Sequence, residues 1–265
     1  MPELDFVTHY EQQRAMVIAE AEFVETERAR VAAQAAAVPR EPQAFAEWFD
    51  SLRETGPGQH DVLFEFLATR ATIEEVRWFV RQEAAGEAGF DDLVSLTQIR
   101  MPDVAKLELA RNYWDEMGRG KYEGMHGPML HHLARTIDVL DTPLEDIVWE
   151  SLSLANLLVA LAYNRRYAFH SVGALGAVEL TAPSRAVRVV EALDRLGVDK
   201  SASYYFRVHA TVDVRHWRGW RDHVAIPLVT QRPELAPYIA EGALMRLNAG
   251  ARTFARYRAE LGIHA

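Results

Sequence analysis

His209-Ala-Thr-Val-Asp213-Val-Arg-His216 is the stretch from which the rest of the chain can be read. At ~100° per residue, positions i, i+4 and i+7 of a helix fall within about 60° of one another, so His209, Asp213 and His216 share one stripe. Tyr205, Val208 and Val212 flank that stripe with apolar groups and turn it inward. A carboxylate and two imidazoles facing an apolar interior need compensation, and a metal ion supplies it. His209 and His216 stand about 10 Å apart along such a helix at ~1.5 Å rise, too far for one undistorted ion and suited to two neighbouring ions. The same spacing also fits a surface pair of Asp213 and His216, with His209 a satisfied core histidine.

Helical signals extend in both directions from this stretch. Residues 4–37 are rich in Ala, Glu, Gln and Arg and end before Pro39. Further helices are expected over 42–53 and 59–68. Another is expected from Thr72, where Glu75 three residues on makes a capping box. Pro102 opens the next; Gly118 and Gly120 interrupt it, and helicity resumes from Tyr122 to Val139. Thr142-Pro143 starts a very apolar helix through Tyr163. Residues 171–196 form another, with Pro183 as a kink or break. The last two are expected over 199–222 and from Pro233 to Leu261. Alternating strand patterns are scarce. The fold class is all-α, one helical domain of eight to ten helices over 1–265, with residues 1–70 forming N-terminal helices whose packing the sequence leaves open.

Composition narrows the function. The 265 residues are 49% hydrophobic and 25% charged, which excludes disordered and collagen-like chains. There is no cysteine, which excludes disulfide frameworks, zinc ribbons, iron–sulfur clusters and thiol catalysis. Any metal must therefore be held by His and carboxylates. The net charge of −9, with scattered basic residues, argues against a nucleic-acid partner. The apolar run Leu154–Tyr163 is too short to cross a bilayer, and the N-terminus lacks a signal-peptide pattern. The expectation is a cytoplasmic protein with no membrane partner.

Two more segments carry candidate chemistry. In Asn112-Tyr-Trp-Asp-Glu116-Met-Gly118-Arg-Gly120, Glu116 would stand about 15 Å from His126 on a straight helix. The two can share a site only if the helix breaks between them, which Gly118, Gly120 and Gly124 permit. Otherwise Glu116 is a solvated helix-end residue. In Gly173-Ala-Leu-Gly176-Ala-Val-Glu179-Leu-Thr-Ala-Pro183, Glu179 lies among small apolar residues, where an unpaired carboxylate is costly. It needs either a metal or a salt bridge to Arg185 or Arg188. Glu123-x-x-His126 also reads as half of a ferritin-like di-iron signature, but no second Glu-x-x-His exists. A ferritin-like storage or sensing bundle therefore stands as the alternative. His131, His132, His170 and His223 are weaker candidates.

Taken together, NYWDEMGRGKYEGMH at 112–126, GALGAVELTAP at 173–183 and the His-x-x-x-Asp-x-x-His motif at 209–216 resemble the haem-oxygenase-like di-iron oxidases and oxygenases, the iron-containing redox enzyme family. The resemblance spans about residues 75–260. It implies a haem-oxygenase-like helical bundle without haem. It also implies two iron ions held by Glu116, His126, Glu179, His209, Asp213 and His216, with O2 as co-substrate. In that scheme Glu179 bridges the ions, Glu116 and His126 serve one of them with His216, and His209 and Asp213 serve the other. Glu83 or Glu87 would add a further carboxylate. The implied activity is oxidation of a small amine, amino acid or fatty-acid-like molecule by N-oxygenation, desaturation or C–C cleavage, in a biosynthetic pathway. Arg111, Arg165 and Arg207 are the arginines considered as anchors for a substrate carboxylate. A homodimer, paired through the Ala-rich first helix, is expected.

Overall fold

The computed structural model describes residues 5–86, 89–211 and 213–264. Among these there is no strand, only helices, short 3-10 turns and one isolated antiparallel bridge between Met117 and Met125. The helices are α1 Phe6–Ala36, α2 Pro42–Thr55, α3 Val62–Thr69, α4 Ile73–Gly86, α5 Phe90–Thr97, α6 Asp103–Glu116, α7 His126–Thr136, α8 Trp149–Tyr163, α9 Ala168–Arg195, α10 Tyr204–His209, α11 Asp213–Trp220, α12 Ile226–Gln231 and α13 Ala236–Glu260. A π-helical turn, Arg221–Ala225, joins α11 to α12.

The long helices α9 and α13 form the centre. They cross so closely that a Cβ on Gly173 would lie 1.7 Å from the Ile239 carbonyl oxygen, and one on Gly242 would lie 1.8 Å from that of His170. Only glycine allows backbones to approach in this way. Around this crossing the apolar side chains form two clusters. One gathers the first half of α9, through Leu180, and of α13, through Ala249, with parts of α1, α2, α6 and α8. The other gathers α9 from Ala186 and α13 from Phe254, with α3, α4, α7 and α10. The segments between, Thr181–Arg185 on α9 and Gly250–Thr253 on α13, run along the seam. Beside the crossing, the buried Glu241 accepts from Arg28 Nε at 2.7 Å and pairs with His170 Nε2 at 2.8 Å, which ties α1 to α9 and α13.

Local chemistry explains where the elements begin and end. The Thr72 capping box forms reciprocally. Thr72 Oγ1 accepts from the Glu75 N–H at 3.3 Å, and Glu75 Oε2 accepts from the Thr72 N–H at 2.7 Å. Three expectations need correction. The helix expected from Thr142 begins only at Trp149. The buried Gln82 accepts from the Val148 N–H and donates to the Asp146 carbonyl, holding that backbone out of the helix. Of the kink or break expected at Pro183, the break does not occur: α9 runs on through it with the Glu179 carbonyl lacking its usual donor four residues on, and buried residues lie on both sides. The helix expected over 199–222 is two helices. After His209 the Thr211 N–H bonds the Val208 carbonyl, and its hydroxyl donates back to Arg207 and Val208 carbonyls, which tightens and closes α10.

Candidate metal centre

Glu116 ends α6 and His126 begins α7. The nine residues between them fold back through two 3-10 turns, so that the helix axis is abandoned and regained. Gly118 and Gly120 have φ of +60° and +81°, and the turn between them is completed by Arg119 at +55°. A Cβ on Gly118 would lie 2.3 Å from the Gly124 carbonyl carbon. The glycine-rich break thus brings Nδ1 of His126 into direct contact with Oε2 of Glu116. The Glu116 side chain is 2% exposed.

Glu179 projects from α9 to the same place. It is buried, and its Oε1 accepts from Asn112 Nδ2 at 2.5 Å. No salt bridge to Arg188 forms, since Arg188 pairs with Glu65 and Glu191. Arg185 donates to Thr181 Oγ1 at 3.2 Å. From α11, His216 brings Nδ1 to 3.4 Å from Glu179 and 3.8 Å from Glu116, while its Nε2 lies 3.2 Å from Asp115 Oδ2. From α10, the His209 ring stands 4.5 Å from that of His126, centroid to centroid.

The tautomers follow from these partners. His209 Nδ1 lies 2.7 Å from the Tyr205 carbonyl, which can only accept. Nδ1 therefore carries the hydrogen and Nε2 keeps its lone pair for a metal. In His216 the carboxylate of Asp115 takes the Nε2 hydrogen, leaving Nδ1 toward Glu116 and Glu179. The two rings titrate in opposite directions. Burial, with the nearby His126, drives His209 down to about 4. Burial also opposes the charge on His216, but Glu179, Glu116 and Asp115 outweigh it and raise this ring to about 9. Near neutral pH the His209 imidazole is neutral and a ready ligand, while the His216 ring is a cation between the carboxylates.

Two groups of donors result. Glu116, His126 and His209 form one, and Glu116, Glu179 and His216 form the other, the ligand atoms of each lying within 4.8 Å of one another. Buried imidazole nitrogens and carboxylate oxygens of this kind suit iron, so the residues present fit that metal. Of the six residues the sequence singles out, five converge here. Asp213 opens α11, but its side chain lies outside the described residues, as does Glu87. The carboxylate common to both groups is Glu116, where the sequence reading puts Glu179 as the bridge. His209 joins His126 from a separate short helix rather than sharing one stripe with His216.

A cavity of about 150 Å³ opens from these ligands, with Glu116, His126, Glu179 and His209 in its wall. Its apolar wall includes Phe64, Phe79, Leu130 and Val189. Glu83 lines it too. Its Oε1 accepts from Tyr257 at 3.1 Å, and burial pushes its carboxyl up despite Arg185 and Arg246 nearby. None of the arginines considered from sequence lines this cavity. Arg111 pairs with Glu108, Arg165 donates to the Leu96 and Ile99 carbonyls, and Arg207 pairs with Asp194. Arg185 and Arg246 line it instead. His131, His132 and His223 are exposed, and His170 serves the Glu241 pair. Sequence reasoning also missed Asp115 and Asn112. Asn112 lies one helical turn before Glu116, and that spacing was the available signal.

No curated protein matches this chain. Two crystal structures of a CADD-like protein of unknown function from Nostoc punctiforme are similar in fold. They show TM-scores of 0.64 and 0.63 at 16% identity, covering 84% of this chain and 99% and 96% of those chains. The sequence model describing iron-containing redox enzymes matches residues 77–251, a span that includes the broken helix with Glu116 and His126, Glu179 on α9, and both histidines of α10 and α11. The all-α bundle is haem-oxygenase-like, and the chain belongs to the iron-containing redox enzyme family.

Proposed function

We propose that this chain is a non-haem di-iron oxidase or oxygenase that uses O2 to oxidise a small organic substrate held in the cavity beside the metal centre. The observation that carries this reading is the pair of ligand groups joined through Glu116 and opening onto one partly apolar cavity. When bound, two ferrous ions would supply the electrons that activate O2 for oxidation. The chain's own residues do the rest. Glu116 and Glu179 offset the charge of the ions, and His126, His209 and His216 complete the donor sets. Tyr205 through its carbonyl and Asp115 through its carboxylate hold two of the imidazoles in the tautomer and orientation that binding needs. Phe64, Phe79, Leu130 and Val189 keep water from the reacting centre.

The test is anaerobic loading with Fe(II), a count of bound iron, and then mixing with O2 while the optical spectrum is followed. About two ions per chain and a transient visible band are expected. No iron uptake and no reaction with O2 would make the ligand groups structural and end this reading. Uptake of many ions per chain would mark a storage protein instead.

A further inference from the structure

The cavity beside the proposed metal centre is lined by a buried arginine whose donors are unmet. Glu83, Arg185 and Arg246 come from α4, α9 and α13 and line the same cavity as Glu116 and Glu179. Arg246 is 8% exposed, and its Nε and Nη1 donors have no hydrogen-bond partner among the described residues. A buried guanidinium with unmet donors is costly, and burial holds it down to about 10 against the influence of Glu83. Glu83 lies near it but already takes the Tyr257 hydroxyl. The wall around Arg246 also holds several phenyl rings. The Arg246 guanidinium lacks an acceptor there. The planar fork of an arginine matches a carboxylate in two parallel hydrogen bonds.

Size restricts the ligand further. A volume of about 150 Å³ holds a body the size of benzene. A chain of a dozen methylenes would extend beyond it.

We propose that Arg246 is a specificity-determining residue that holds the carboxylate of a compact substrate whose apolar part is about the size of one aromatic ring. This deepens the di-iron reading, on which it rests for the statement that the bound acid is a substrate. Among the substrate classes that the sequence resemblance implies, it favours amino-acid-sized acids over simple amines and long fatty acids.

The test is calorimetric titration of phenylacetate, phenylacetamide, dodecanoate and inorganic phosphate into the full chain, metal-free and loaded with Fe(II) under nitrogen. Phenylacetate is expected to bind at least about tenfold more tightly than its amide in both states, as a charge-assisted pair requires. Arg246→Met should abolish the difference and Arg246→Lys should keep part of it, with thermal unfolding as the check that each variant folds. If Arg246→Met fails to fold, the acid–amide comparison on the native chain and on Arg246→Lys decides. Equal binding of acid and amide, or no binding of any acid, overturns the proposal. So does a preference seen only with iron present, which would place the carboxylate on the metal. Tighter binding of dodecanoate overturns the size limit, and tighter binding of phosphate overturns the carboxylate. Two irons bound without an acid preference sinks the anchor alone. An acid preference in a chain that takes up no iron sinks the di-iron reading alone.

Discussion

At the scale of single residues the proposed metal centre turns on Glu116, which both candidate donor groups share. Glu116→Gln should therefore lower iron uptake close to zero, while Glu179→Gln should leave about one ion per chain, measured by elemental analysis after anaerobic loading. His216 gives a second expectation. Its pKa in the metal-free fold is raised to about 9 from an ordinary 6.5. Its charge thus stabilises the metal-free fold fully below pH ~6.5, and that contribution is lost as pH rises through about 9. A metal must displace this proton, so loading at pH 7 should release about one proton per chain from His216 and none from His209, which is already neutral there. Titration in buffers of different ionisation enthalpy measures the number; no proton release would contradict the assignment of His216 as a ligand. Asp115→Asn should weaken metal binding by about 10- to 100-fold with the fold retained, because the carboxylate orients His216. The candidate ligands were legible as residue types at suggestive spacings. Their supporters were not, since Asp115 meets His216 across 101 positions of sequence. Arg246 looks like any arginine on a helix until α13 is seen to bury it.

At the scale of elements the segment 117–125 decides whether a centre exists. Gly118→Ala puts a Cβ where the Gly124 backbone already lies and asks an L-residue to hold φ of +60°. Glu116 and His126 should part, with metal binding falling sharply while far-UV circular dichroism stays nearly native. Unchanged affinity would show that the turn is not what brings the two together. The break itself was readable, because glycines at 118, 120 and 124 offered the only route by which Glu116 and His126 could meet. The second break, between α10 and α11, was not. Nothing in Ala-Thr-Val forbids a helix, and the Thr211 hydroxyl returns to the carbonyls behind it where α10 ends. Helical periodicity joined His209 and His216 on one stripe, whereas tertiary packing delivers them from separate helices. The late start of α8 was equally hidden, since it depends on Gln82 in α4.

At the scale of the whole molecule, the crossing of α9 and α13 should be the most sensitive point of the fold. Gly173→Leu forces a side chain into the Ile239 carbonyl. It should cost about 1–3 kcal/mol or more, read as a lowered midpoint in urea. By contrast, residues 5–19 of α1 are all exposed, and burial in that helix begins only at Val24. Removing residues 1–19 should leave the thermal midpoint of the core unchanged to within a degree or two, as expected for surface removed without buried contacts. The all-α class was readable from composition and periodicity, but the division of the interior into two apolar clusters was not, because it depends on which halves of α9 and α13 face which neighbours. That division matters most when the metal is gone. The proposed centre lies on the boundary between the clusters, and without metal only the His216 ring bridges Glu116 and Glu179 there. Stripped of metal, the chain should breathe along this fault line first. Amide exchange would then quicken in the middle of α9 and at the end of α6 while the hearts of both clusters stay protected. Iron would be a rivet between two halves of the protein as well as its reagent.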